Sequence, residues 1–72
     1  MKYKLYFINS KKIETLIGEY NCPNDYMYAI DSFLKAYNYK SYYKRFMVDS
    51  ETKTIIDVGS HTEFFKVVSE ND

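Results

Sequence analysis

Only one stretch of this chain has a clear helical period, and the segments on either side of it alternate. Residues 22–38, CPNDYMYAIDSFLKAYN, space Tyr26, Ile30, Phe33 and Tyr37 at steps of four, three and four. That spacing puts all four side chains on one face of a helix. Ala29 and Leu34 widen the apolar stripe, while Asp31, Ser32, Lys35 and Asn38 fall toward solvent. Pro23 ends whatever precedes it, and Asn24 or Asp25 is expected to cap the free amides. A chain of 72 residues buries only about 60% of its unfolded surface, so its one long helix is needed for the core.

The flanks read as strands. Residues 2–9 alternate, with Tyr3, Leu5 and Phe7 on one side and Lys2, Lys4, Tyr6 and Ile8 on the other. Their apolar run stops at Asn9-Ser10-Lys11-Lys12, too short for a leader or a membrane span. Residues 12–20 fit a helix through Ile13, Leu16, Ile17 and Tyr20, and a strand through Ile13, Thr15 and Ile17. Gly18 and the short preceding turn favour a second strand with a bulge at the glycine. A third strand is expected from Ser41 to Asp49, then a turn over Ser50-Glu51-Thr52-Lys53 and a fourth strand from Thr54 to Val58. After Gly59, Ser60 and Glu63 have the spacing of a capping box for one helical turn. FFKVV, residues 64–68, also suits a short strand, because Phe and Val favour extended chain. The expected architecture is a single α+β domain over residues 1–72. Two antiparallel hairpins pack on one helix in the order ββαββ, ending in a helical turn or strand.

Charge is asymmetric although the total is zero. Residues 1–48 hold eight Lys or Arg against four Asp or Glu, and residues 49–72 hold two against six. All nine tyrosines fall between Tyr3 and Tyr43, on the basic side. The density peaks in YKSYYKRF, residues 39–46, which makes Tyr39, Lys40, Tyr42, Tyr43, Lys44 and Arg45 the leading candidate interaction surface. Aromatics and cations on a sheet face can stack bases and hold phosphates. Against that use, nine of the ten basic residues are Lys, leaving Arg45 alone for bidentate contacts, and no RNA-binding signature is present. Tyrosine is also a favoured strand residue whose hydroxyl can stay wet while its ring packs.

A second candidate cluster lies in DVGSHTEFF, residues 57–65, with Asp57, Ser60, His61 and Glu63. Hydrolysis would need these groups to converge around a pocket with an oriented base and oxyanion donors. A turn at Gly59 followed by a capped segment explains the same residues without catalysis. Cys22 and His61 are the only soft ligands and lack paired spacing, so neither a metal nor a cofactor is expected. The single cysteine cannot form an internal disulfide, which points to a cytoplasmic setting.

The succession LIGEYNCPNDYMYAIDSFLKAYN, SYYKRFMVD and TIIDVGSHTEFFKV, covering residues 16–68, resembles the small uncharacterised phage and prophage proteins of low-GC Gram-positive bacteria. The resemblance implies an accessory, partner-binding role and assigns no catalytic residue. The expected function is therefore a non-catalytic protein-interaction module, able to self-pair as a homodimer. A single-stranded nucleic-acid binder is the alternative, and an enzyme ranks third.

Overall fold

The computed structural model describes residues 2–37, 43–60 and 62–70. The chain runs β1 (Lys2–Ile8), β2 (Glu14–Tyr20), α1 (Pro23–Ala36), β3 (Arg45–Val48), β4 (Lys53–Asp57) and β5 (Phe64–Glu70). All strand pairs are antiparallel, in the sheet order β2-β1-β5-β4-β3. The α+β class is as expected, but the order is ββαβββ. Of the two endings left open, the strand is the one that forms, and β5 lies at the centre of the sheet.

The first hairpin closes through Asn9. Its Oδ1 accepts from the N–H groups of Lys11 at 2.9 Å and Ile13 at 3.0 Å, and its carbonyl accepts from Lys12 N at 2.9 Å. These bonds hold Lys12 at φ 64°, a conformation that costs a residue with a Cβ. The ambiguous segment is a strand, and its pairing with β1 carries a bulge. Leu5 faces Gly18 and Tyr6 faces Leu16, leaving Ile17 as the extra residue beside the glycine.

Helix α1 starts two or three residues earlier than a cap at Asn24 or Asp25 would place it. Cys22 is the N-cap, with extended φ −147° and ψ 157°, and Pro23 sits in the first turn. No side chain caps the helix, so the expectation for Asn24 or Asp25 fails. Proline at that position has no N–H to satisfy, and its fixed φ already suits the helix. Asp25 N instead bonds Cys22 O at 3.2 Å. The helix lies over β1 and β2 and buries Tyr26, Ile30 and Leu34.

The core is one cluster of Leu5 and Phe7 from β1, Phe65 and Val67 from β5, and Ile56 and Val58 in and after β4, closed by the three helix residues. Phe33 links the layers. Its ring lies 4.7 Å from Phe7 and 5.5 Å edge-on from Phe65, separations typical of favourable aromatic pairs. Tyr37, placed on the apolar stripe by spacing, stacks on Phe33 at 4.6 Å yet remains exposed. No helix among the described residues covers the opposite sheet face, which is laced with charge. There Lys4 pairs with Glu70 at 3.1 Å and Glu19 at 3.8 Å. Lys66 pairs with Glu14 at 2.6 Å while lying 5.0 Å from the centre of the Tyr6 ring.

Candidate functional site

Strand β3 is shorter than expected, beginning at Arg45 and ending at Val48. The register opposes Phe46 to Ile56 and Val48 to Thr54, so Phe46 and Val48 lie on the helix side of the sheet. Arg45 and Met47 oppose Asp57 and Ile55 on the open side. Helix α1 sits toward the β2 edge, and at the far edge every β3 residue is exposed. Phe46 keeps 47% of its surface accessible, Met47 41% and Val48 78%.

Of the leading candidates, Tyr39, Lys40 and Tyr42 lie outside the described residues. Tyr43 donates its hydroxyl to Asp57 Oδ2 at 3.4 Å, and its ring packs against Gly59. Lys44 Nζ reaches Asp31 Oδ1 on α1 at 2.7 Å. Arg45 stands across the ladder from Asp57. Tyr43 and Lys44 thus each engage a carboxylate, and Arg45 has one at its cross-strand position.

The second cluster is a turn. Asp57 Oδ1 accepts from Gly59 N at 3.0 Å, and Gly59 has φ 93°, a region that glycine enters without strain. Ser60 Oγ accepts from Thr62 N at 3.3 Å and Glu63 N at 3.1 Å, the contacts of a cap, but the chain then extends into β5. His61 lies outside the described residues. The two clusters meet at Asp57, which joins Tyr43 to Gly59. Among the described residues, no group of three His, Cys, Asp or Glu is placed to hold a metal, and no cavity forms.

What sequence reasoning passed over is the edge itself. Phe46-Met47-Val48 is an uncharged run between Arg45 and Asp49, and the sequence leaves open whether Phe46 with Val48 or Met47 with Tyr43 turns toward the helix. The signal was the distance from the helix, which only the strand order supplies. The other edge differs. Strand β2 also exposes Leu16, and Ile13 beside it, but its ladder is broken by the bulge at Ile17 and it carries Glu14 and Glu19. Those are devices that blunt an edge against pairing. Strand β3 has no bulge in its ladder with β4.

No protein-family description, curated protein or solved structure matches this chain.

Proposed function

We propose that this chain is a non-catalytic interaction module, an accessory protein of the phage or prophage type, which holds another protein chain along the free edge of β3. One observation carries the proposal. All four residues of β3 are exposed on a regular edge, with three consecutive apolar side chains. Among the described residues no strand pairs with the outer side of β3, so it presents backbone groups to an incoming strand, whose main chain supplies affinity and whose alternate side chains supply selectivity. The resemblance of residues 16–68 to small phage and prophage proteins favours an accessory role, and the free thiol of Cys22 suits a reducing cytoplasm. No helix among the described residues is long and apolar enough to cross a membrane.

Single-strand binding gains less support. Lys44 and Arg45 face Asp31 and Asp57, and the Tyr43 hydroxyl is engaged by Asp57. Affinity capture from the native host tests the proposal, using the chain and its Val48→Pro variant side by side. Proline is tolerated on an edge strand but removes a donor and obstructs an incoming chain. A protein retained by the original chain and lost by the folded variant is the expected result. Identical captures by the two would refute the proposal.

A further inference from the structure

The phase of the β3–β4 ladder determines which groups β3 offers. Asp49 N donates to Lys53 O at 3.0 Å, so the backbone of Asp49 faces β4. Alternation along an antiparallel ladder then turns the N–H and C=O of Met47 and Arg45 inward as well. Those of Phe46 and Val48 face away from the sheet. A partner strand must meet Phe46 and Val48 with outward groups of its own.

We infer that the occupant of the β3 edge is a second copy of this chain, paired antiparallel with Met47 opposite Met47 across a two-fold axis perpendicular to the sheet. The inference rests on the reading of β3 as the interaction edge. A perpendicular axis keeps each face of the sheet on its own side, so only registers that oppose residues of like parity are allowed. Centring on Met47 opposes Phe46 to Val48 of the second copy. Each Phe46 N–H then donates to the other chain's Val48 carbonyl, and each Val48 N–H to the other's Phe46 carbonyl. The helix side brings together the exposed Phe46 and Val48, and the open side brings together the two exposed methionines.

Charge selects this register over its neighbours. Arg45 comes to lie opposite Asp49 of the second copy, on the same face as its own cross-strand Asp57. Lys53, bonded through its backbone to Asp49, continues the row. The open face then reads Asp57, Arg45, Asp49, Lys53 across the junction, alternating in sign. Cross-strand pairs of opposite charge favour a register, and like charges disfavour it. Centring on Phe46 would put Arg45 opposite Met47 and lose the pair. Centring on Val48 would put Met47 opposite Asp49 and drive the pairing into the turn at Ser50. Because the edge is short, association is expected to be weak, with a dissociation constant on the order of micromolar or above.

Cysteine cross-linking tests the register in the full chain carrying Cys22→Ser, a change that leaves a good N-cap residue at that position. In a non-hydrogen-bonded antiparallel pair, opposed Cβ atoms lie about 4.5–5.5 Å apart or closer, within relaxation of the roughly 3.5–4.5 Å that a disulfide needs. Met47→Cys is therefore expected to oxidise to a covalent dimer of twice 8.7 kDa. Leu16→Cys, exposed on the same face at the opposite edge, should remain monomeric under the same conditions. Arg45→Asp should weaken association of the uncross-linked chain about tenfold, and Arg45→Asp with Asp49→Arg should restore it. Failure of Met47→Cys to link above the Leu16→Cys background overturns the inference, as does preferential self-linking of Phe46→Cys or Val48→Cys. If Met47→Cys fails while Val48→Pro still abolishes capture of a different protein, only the self-pairing is lost. If Val48→Pro also changes no capture, the edge reading falls with it.

Discussion

Lys44 Nζ stands 2.7 Å from Asp31 Oδ1, tying the residue just before β3 to the middle of α1. The densest cationic stretch in the sequence thus spends one of its charges on its own helix. Asp57 stands at the cross-strand position of Arg45, so the two cations of the described part of the stretch have two carboxylates set against them. Labelled single-stranded DNA and RNA, titrated at low salt, should show no binding at tens of micromolar protein. Lys44→Gln with Arg45→Gln should leave that result unchanged. Low-micromolar binding that weakens with salt and vanishes in the folded double variant would reverse the assignment. As a partly exposed pair, Lys44 and Asp31 should add no more than about 1 kcal/mol to stability.

Phe65 is the centre of the core. It is fully buried on β5, touches the rings of Phe7 and Phe33, and opposes Phe7 and Ile56 in its two ladders. Phe65→Ala is expected to cost about 3–5 kcal/mol. A domain of this length has only about 4–10 kcal/mol in total. Denaturant unfolding should find it barely folded, whereas Ile30→Val should cost about 0.5–1.5 kcal/mol. A loss below 1 kcal/mol for Phe65→Ala would mean that β5 is not the central strand.

Among the described residues two positions, Lys12 and Gly59, have positive φ, and they should respond in opposite directions. At Gly59 a Cβ would be strained by φ 93° and would meet Tyr43 Cε2 at 3.2 Å. Gly59→Ala should cost about 1–3 kcal/mol. Lys12 already bears the cost at φ 64°, so Lys12→Asn should gain up to about 1 kcal/mol, asparagine tolerating that region better. Thermal melting of both variants checks the signs. Loss of stability in Lys12→Asn would contradict the turn geometry.

Burial raises the Tyr26 phenol above its ordinary 10.0, with Tyr3 adding a smaller push in the same direction. Below pH 10.0 the phenol is neutral whether the chain is folded or not, and its contribution is complete. As the pH rises past that value the unfolded chain ionises first, and stability falls until the folded phenol also ionises. Lys4 is likewise raised, chiefly by its hydrogen bond to Glu70, and its contribution fades in the same direction. Unfolding free energies measured above pH 10.0 should therefore fall more steeply for the original chain than for Tyr26→Phe. Parallel slopes would show that Tyr26 is not held in its buried site.

The helix was legible because Tyr26, Ile30 and Leu34 repeat a period that packing on a sheet preserves. The strand in residues 14–20 was legible through Gly18, which sits beside the bulge. Strand β5 was not settled by its sequence, since Ser60 and Glu63 form the local bonds of a cap whichever way the chain continues. Ladders to β1 and β4, remote in sequence, decide the matter. The edge at β3 was illegible for a related reason. Phe46 and Val48 alternate like core residues, and only the strand order puts them beyond the reach of the helix. Tyr43 and Arg45 announced themselves through composition, but composition could not show that Asp57 lies beside both.

Residue-resolved amide exchange, followed by NMR from micromolar to millimolar protein, tests most directly that the free edge of β3 is where this chain binds its own kind. The N–H groups of Phe46 and Val48 face outward, whereas those of Arg45 and Met47 face β4. The expected result is protection of Phe46 and Val48 that grows with concentration, with Arg45 and Met47 changing far less and Val48→Pro abolishing the growth. Exchange at Phe46 and Val48 that stays fast at every concentration, with a mass fixed at one chain of 8.7 kDa, would contradict it.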